Sequence, residues 1–135
     1  MTSRTPSRFK SKIDPMYLDS ARLITLQQLL CDKIENLFEA LGINMEHCGK
    51  AYTGCCPVHG GDNQNACSIY HSGHSLPGYW ECRTKHCQVN FKKTIIGFVR
   101  GVLSHNKYGW TALAKSNDKD AQKTVGYKET IDWCC

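Results

Sequence analysis

No stretch of this sequence approaches the roughly 20 apolar residues that a membrane-spanning helix needs. The opening run MTSRTPSRFKSKID also lacks the apolar block of a secretion signal. Aliphatic side chains are scarce: after Asp14, Leu, Ile, Val and Phe gather mainly in two short blocks. A core that small needs a staple, which a bound metal can supply. Known catalytic zinc signatures are missing as well. There is neither the HExxH of metalloproteases nor the H-x-E of zinc deaminases. No carboxylate cluster stands out, since Asp118, Asp120, Glu129 and Asp132 fall in a polar stretch and a tail. These absences exclude the common zinc hydrolases and turn attention to recognition.

Cysteine, by contrast, is plentiful, with nine in 135 residues. A secreted disulfide scaffold is one reading. Against it stand the odd count, the adjacent pairs Cys55-Cys56 and Cys134-Cys135, and the polar N-terminus. The expected setting is a reducing, cytoplasmic compartment with thiols free or metal-bound. The formal net charge is +5 and the pI about 8.7. Closing three thiolates around a divalent ion lowers that charge by one, so the chain stays basic and suited to a polyanion.

The cysteines that matter most sit in two clips. CPVH runs from Cys56 to His59 and CRTKHC from Cys82 to Cys87, with 22 residues between His59 and Cys82. Zinc takes thiolate sulfur and imidazole nitrogen in a tetrahedron, and short turns bring such ligands together two at a time. Pro57 stiffens the first turn by fixing its own φ. Cys56, His59, Cys82 and Cys87 are therefore the expected ligands of one structural zinc. Two rivals compete. Cys55 would leave three residues before His59 and, on an extended strand, points to the opposite face. His86 could replace Cys87. Cys48 and Cys67 read as small buried residues.

Around these clips the expected class is α+β: an antiparallel zinc-ribbon sheet with an amphipathic helix before it and another helix after the second cysteine pair. Residues 1–15 form a basic arm carrying Arg4, Arg8, Lys10 and Lys12. Residues 16–104 form the zinc domain, 105–123 a polar linker, and 124–135 the start of a further helical segment that looks cut short. Within the domain, Leu23, Leu26, Leu30, Ile34, Leu37 and Leu41 make one apolar stripe, which predicts a helix over 20–41 stopped by Gly42. Three strands are expected, near Gly49–Gly54, Ala66–His71 and Gly78–Arg83. A second helix is expected over Lys92–Leu103, with Asn90 as its cap.

Exposed aromatic and cationic residues on a sheet make a stacking platform for single-stranded bases. The candidates are Lys50, Tyr52, Tyr70, His71, Tyr79, Trp80, Arg83 and Lys85. Trp80 is equally suited to filling the core. Asn63 and Asn65 fit a turn better than base readout.

The segments CPVHGGDNQNACSIY and GYWECRTKHCQVNFKKTIIGFVRGVLS, over about residues 45–104, resemble the N-terminal zinc-binding domain of bacterial and bacteriophage DNA primases, the phage versions most closely. The resemblance implies one zinc on Cys56, His59, Cys82 and Cys87, and a module that recognises a single-stranded DNA template. It implies work alongside a primase catalytic domain, and possible contact with a replicative helicase, in RNA primer synthesis. Many family members have two residues between the second pair of cysteines where this chain has four, so the shape of that turn differs. A second reading treats the chain as a zinc-ribbon adaptor that docks protein partners through the leucine stripe.

Overall fold

A computed structural model describes residues 20–61, 63–71, 78–111 and 123–134. The basic arm, most of the linker and Cys135 lie outside them.

The leucine stripe is helical, but in two pieces: α1 (Ser20–Asp32) and α2 (Ile34–Leu41). Lys33 alone leaves helical geometry, at φ −112° and ψ 38°. The bonds Lys33 N–H to Leu29 O and Leu37 N–H to Lys33 O carry the chain across the break. Gly42 ends α2 in the left-handed conformation at φ 73°, and Ile43 N–H caps Phe38 O at 3.0 Å. Leu26, Leu30, Ile34, Leu37 and Leu41 are all buried. Both helices pack on α4 (Ile95–Tyr108). Most of the stripe is thus spent inside the chain, with Leu23 half-buried at its start.

The sheet is antiparallel, in the order β1 (Glu46–Cys48), β2 (Ala51–Gly54), β3 (Cys67–Tyr70) and β4 (Trp80–Cys82). The class is α+β, as expected, with one strand more. β1 was not anticipated because Glu46, His47 and Cys48 are all exposed and have no apolar alternation. Register fixes the two faces. His47, Tyr52, Ile69 and Trp80 are successive cross-strand partners and share one side. Thr53, Ser68 and Glu81 share the other.

Trp80 is the centre of the core. It is fully buried, packs edge-on against Phe98 with centroids 5.2 Å apart, and donates Nε1–H to Lys92 O at 2.8 Å. Phe38 joins the helices to the sheet through edge contacts with Tyr52 and Phe98.

The second expected helix starts late, after a short helix that was not anticipated. A short α3 (Cys87–Phe91) follows the second clip, and α4 begins only at Ile95. Asn90 lies inside α3 and caps nothing; Thr94 is the cap, its Oγ1 accepting from Gly97 N–H at 3.1 Å. Lys92 lies between them at φ 91°, where only glycine is comfortable. Its carbonyl meets the Trp80 indole, and Lys93 O meets Trp80 N–H, so the core bonds hold the strained residue. The helix also runs on to Tyr108, into what the sequence suggested as linker.

The final element, α5 (Tyr127–Cys134), packs on α4. Arg100 donates to Val125 O at 2.7 Å, while buried Ser104 accepts from Val125 N–H. Among the described residues no helix is long and apolar enough to cross a membrane.

Candidate metal centre

Each clip is a turn closed by its own backbone. In the first, Cys56 O accepts the N–H groups of Gly60 and Gly61 at 3.0 and 3.2 Å, which curls Val58 and His59 back over Cys56. In the second, Cys82 O accepts His86 N–H at 3.1 Å, and Lys85 N–H points at Cys82 Sγ at 3.4 Å. His86 then adopts a left-handed φ of 54°, which redirects the chain so that Cys87 starts α3 facing Cys82. The four-residue spacing is one full turn plus this reversal.

The two turns bring Cys56, His59, Cys82 and Cys87 together, with their ligand atoms all within 4.8 Å of one another. The three cysteines are fully buried and His59 is half-buried. His59 Nδ1 lies 3.2 Å from Cys87 Sγ and 3.5 Å from Cys82 Sγ; Cys56 and Cys87 sulfurs are 3.9 Å apart. Zinc-length bonds at a tetrahedral angle separate two sulfurs by about 3.8 Å and a sulfur from a nitrogen by about 3.5 Å. The four residues can therefore hold one metal ion, and all four positions of a closed shell are filled by protein. Among the described residues no other group of three or more such side chains converges.

The rival ligands are elsewhere. His86 is exposed at the tip of the second clip. Cys55 lines an open groove with Cys48, Asn44, Gln64 and Asn65. Cys48 is exposed, against expectation, because β1 is an uncovered edge strand.

Sequence reading missed three supports of the site. Cys67, expected as a buried filler, is fully buried but pairs with Cys82 across β3 and β4. Its approach to Cys56, and then that of Cys87, holds the Cys56 thiol well below the usual range. The same approach and burial push the Cys67 thiol up. Gln88, nearly buried, accepts the Cys82 N–H at 2.8 Å. Gly61 supplies room: a methyl group there would lie 2.4 Å from His59 Nε2. The Gly-Gly pair after CPVH was the one available signal for this last feature.

Helix α4 braces the first clip. Val58 is buried against Gly101, where a Cβ would stand 2.9 Å from both Val58 methyls. Thr111 donates to His59 O at 3.4 Å.

The expected stacking residues separate into two groups. Trp80 belongs to the core and cannot stack on a base. Tyr52 is buried too, its hydroxyl donating to Glu35 at 2.6 Å. That contact raises its pKa to about 12. Both lie on the inward face of the sheet, which the three-strand reading could not assign. His71 shares that side at the sheet's end. Tyr70, Tyr79, Arg83, Lys50 and Lys85 reach the surface. Arg83 crosses the outer face, donating to Ser68 Oγ at 2.8 Å and pairing with Glu81 at 3.2 Å. The Tyr70 and Tyr79 rings lie 5.9 Å apart, with Lys93 Nζ 6.0 Å from the Tyr79 ring.

In comparison with known proteins, no family model matches this chain, and no curated protein or solved structure is significantly similar to it.

Proposed function

We propose that this chain is a zinc-stapled module that binds single-stranded DNA template in the manner of a primase zinc domain. It would act in primer synthesis with a catalytic domain that is not apparent in this sequence. The observation carrying this reading is the convergence of CPVH and CRTKHC on one closed, soft-ligand site. Three thiolates and an imidazole favour zinc over the hard cations, and a closed shell favours a structural role. Zinc binding of this kind stabilises folding by about 10–16 kcal/mol. The free thiols of Cys48 and Cys55 suit a reducing compartment, the cytoplasm.

Recognition falls to the outer face. Tyr70 and Tyr79 offer stacking rings, and Arg83, Lys85 and Lys93 supply cations for phosphates. The metal fixes the backbone that carries Arg83 and Lys85, so these groups are positioned before the template arrives.

The test is elemental analysis of reduced protein together with binding to short single- and double-stranded DNA. The reading expects one zinc per chain and a preference for single strands that weakens steeply with salt. Lys85→Ala should lower the slope of log affinity against log salt by about 0.7. A zinc-loaded protein that prefers duplex, or binds neither form at low salt, refutes the DNA-binding half of the proposal.

A further inference from the structure

A second set of ligand-type side chains lies apart from the thiol centre. His47 on β1 pairs with Tyr52, Tyr52 pairs with Ile69, and His71 follows Ile69 by two residues. All three rings therefore sit on one side of the sheet. Their centroids form a triangle with sides of 4.9, 5.1 and 5.3 Å. The Nε2 atoms of His47 and His71 face each other at 3.1 Å. His71 Nε2 is also 3.2 Å from the carbonyl oxygen of Gly49, in the turn between β1 and β2. Tyr52, locked by Glu35, forms the floor under both imidazoles.

Two imidazole nitrogens on one ion, at about 2.0–2.1 Å each, stand about 3.3 Å apart in a tetrahedron and about 2.9 Å apart in a square plane. The observed separation falls between these values. The Gly49 oxygen adds a third donor, beside His71 Nε2. We propose that His47 and His71, assisted by the Gly49 carbonyl, form a second metal site for a divalent transition ion such as Zn²⁺, Co²⁺ or Ni²⁺. Imidazole nitrogen selects these ions over Mg²⁺ and Ca²⁺, which take oxygen shells. His47 is exposed and His71 half-buried. An ion held there keeps open positions and exchanges with solvent, unlike one enclosed by the three buried thiols. The inference is independent of any role in DNA binding.

The test uses reduced protein already carrying one equivalent of zinc, titrated with further Zn²⁺ by calorimetry while histidine ring signals are followed by NMR. A second equivalent should bind and shift the His47 and His71 rings together, leaving His59 unmoved. His47→Gln and His71→Gln should each weaken the second binding at least about tenfold while the first zinc is retained. The wild-type titration stands even if a variant fails to fold. Absence of a second equivalent overturns the proposal. So does second-site binding that survives both substitutions or leaves those two rings unshifted.

Discussion

Replacing Gly61 with alanine should cost the centre its histidine. The added Cβ would stand 2.4 Å from His59 Nε2 and 3.1 Å from Cδ2, where ordinary packing begins at 3.4 Å. The ring or the turn must yield by about 1 Å. Metal–ligand distances tolerate only about 0.2 Å, and Nδ1 of that ring lies 3.2 Å from Cys87 Sγ. The imidazole therefore cannot keep its bond. Overpacking alone costs about 1–3 kcal/mol, and loss of one ligand weakens the site beyond that. Gly126→Ala is the control, because nothing lies within 4 Å of its added methyl. Competition with a chromogenic chelator reads zinc affinity, and cobalt substitution reads the ligand set through its visible spectrum. We expect affinity to fall at least about tenfold, with a changed cobalt spectrum and an unchanged control. A Gly61→Ala protein that binds zinc as the parent does would refute the ligand role of His59.

Three further outcomes follow from the same geometry. Chelating the metal should unfold the sheet over residues 48–91, since about 10–16 kcal/mol rivals the whole stability of a small domain; loss of the near-ultraviolet circular dichroism of buried Trp80 checks this. Trp80→Ala should destabilise the zinc-loaded protein by about 3–5 kcal/mol in chemical denaturation, whereas Trp80→Phe should fold and bind DNA like the parent, because Trp80 is core. Tyr52 has its pKa raised to about 12 by the bond to Glu35. Its stabilising contribution is therefore full below the ordinary tyrosine range near 10 and is lost as pH climbs toward 12; denaturation of the parent and Tyr52→Phe across that interval should show a dependence that the variant lacks.

The candidate metal site was legible because its chemistry is local: each clip is a few residues long and its spacing encodes a turn. The leucine stripe was legible for the same reason, since a period of 3.6 needs no tertiary information. The interruption at Lys33 was not, because neither proline nor glycine marks it and the bonding crosses it. Aromatic roles were harder still. Tyr52 and Trp80 differ from Tyr70 only in which face of the sheet they occupy, and that face is set by register. The unforeseen β1 strand, polar and exposed, belongs to that same register. Thr94 outdid Asn90 as a cap because Trp80 draws the Lys92 and Lys93 carbonyls into the core and delays the helix. Cys67 reaches the site through a cross-strand pairing and Gln88 through a side-chain bond closing the second clip, neither of which ligand spacing reveals.

The notch at Gly101 has a mechanical meaning. Val58, which fills it, is the residue between Pro57 and His59, so α4, the longest helix among the described residues, is keyed into the loop that carries two candidate metal ligands. Beside that notch the same helix grips the backbone of Val125, just before α5, through Arg100 and Ser104. A push or pull on the segment entering the last helix has a short, stiff route, through Arg100, Ser104 and Val58, to the candidate ligands Cys56 and His59.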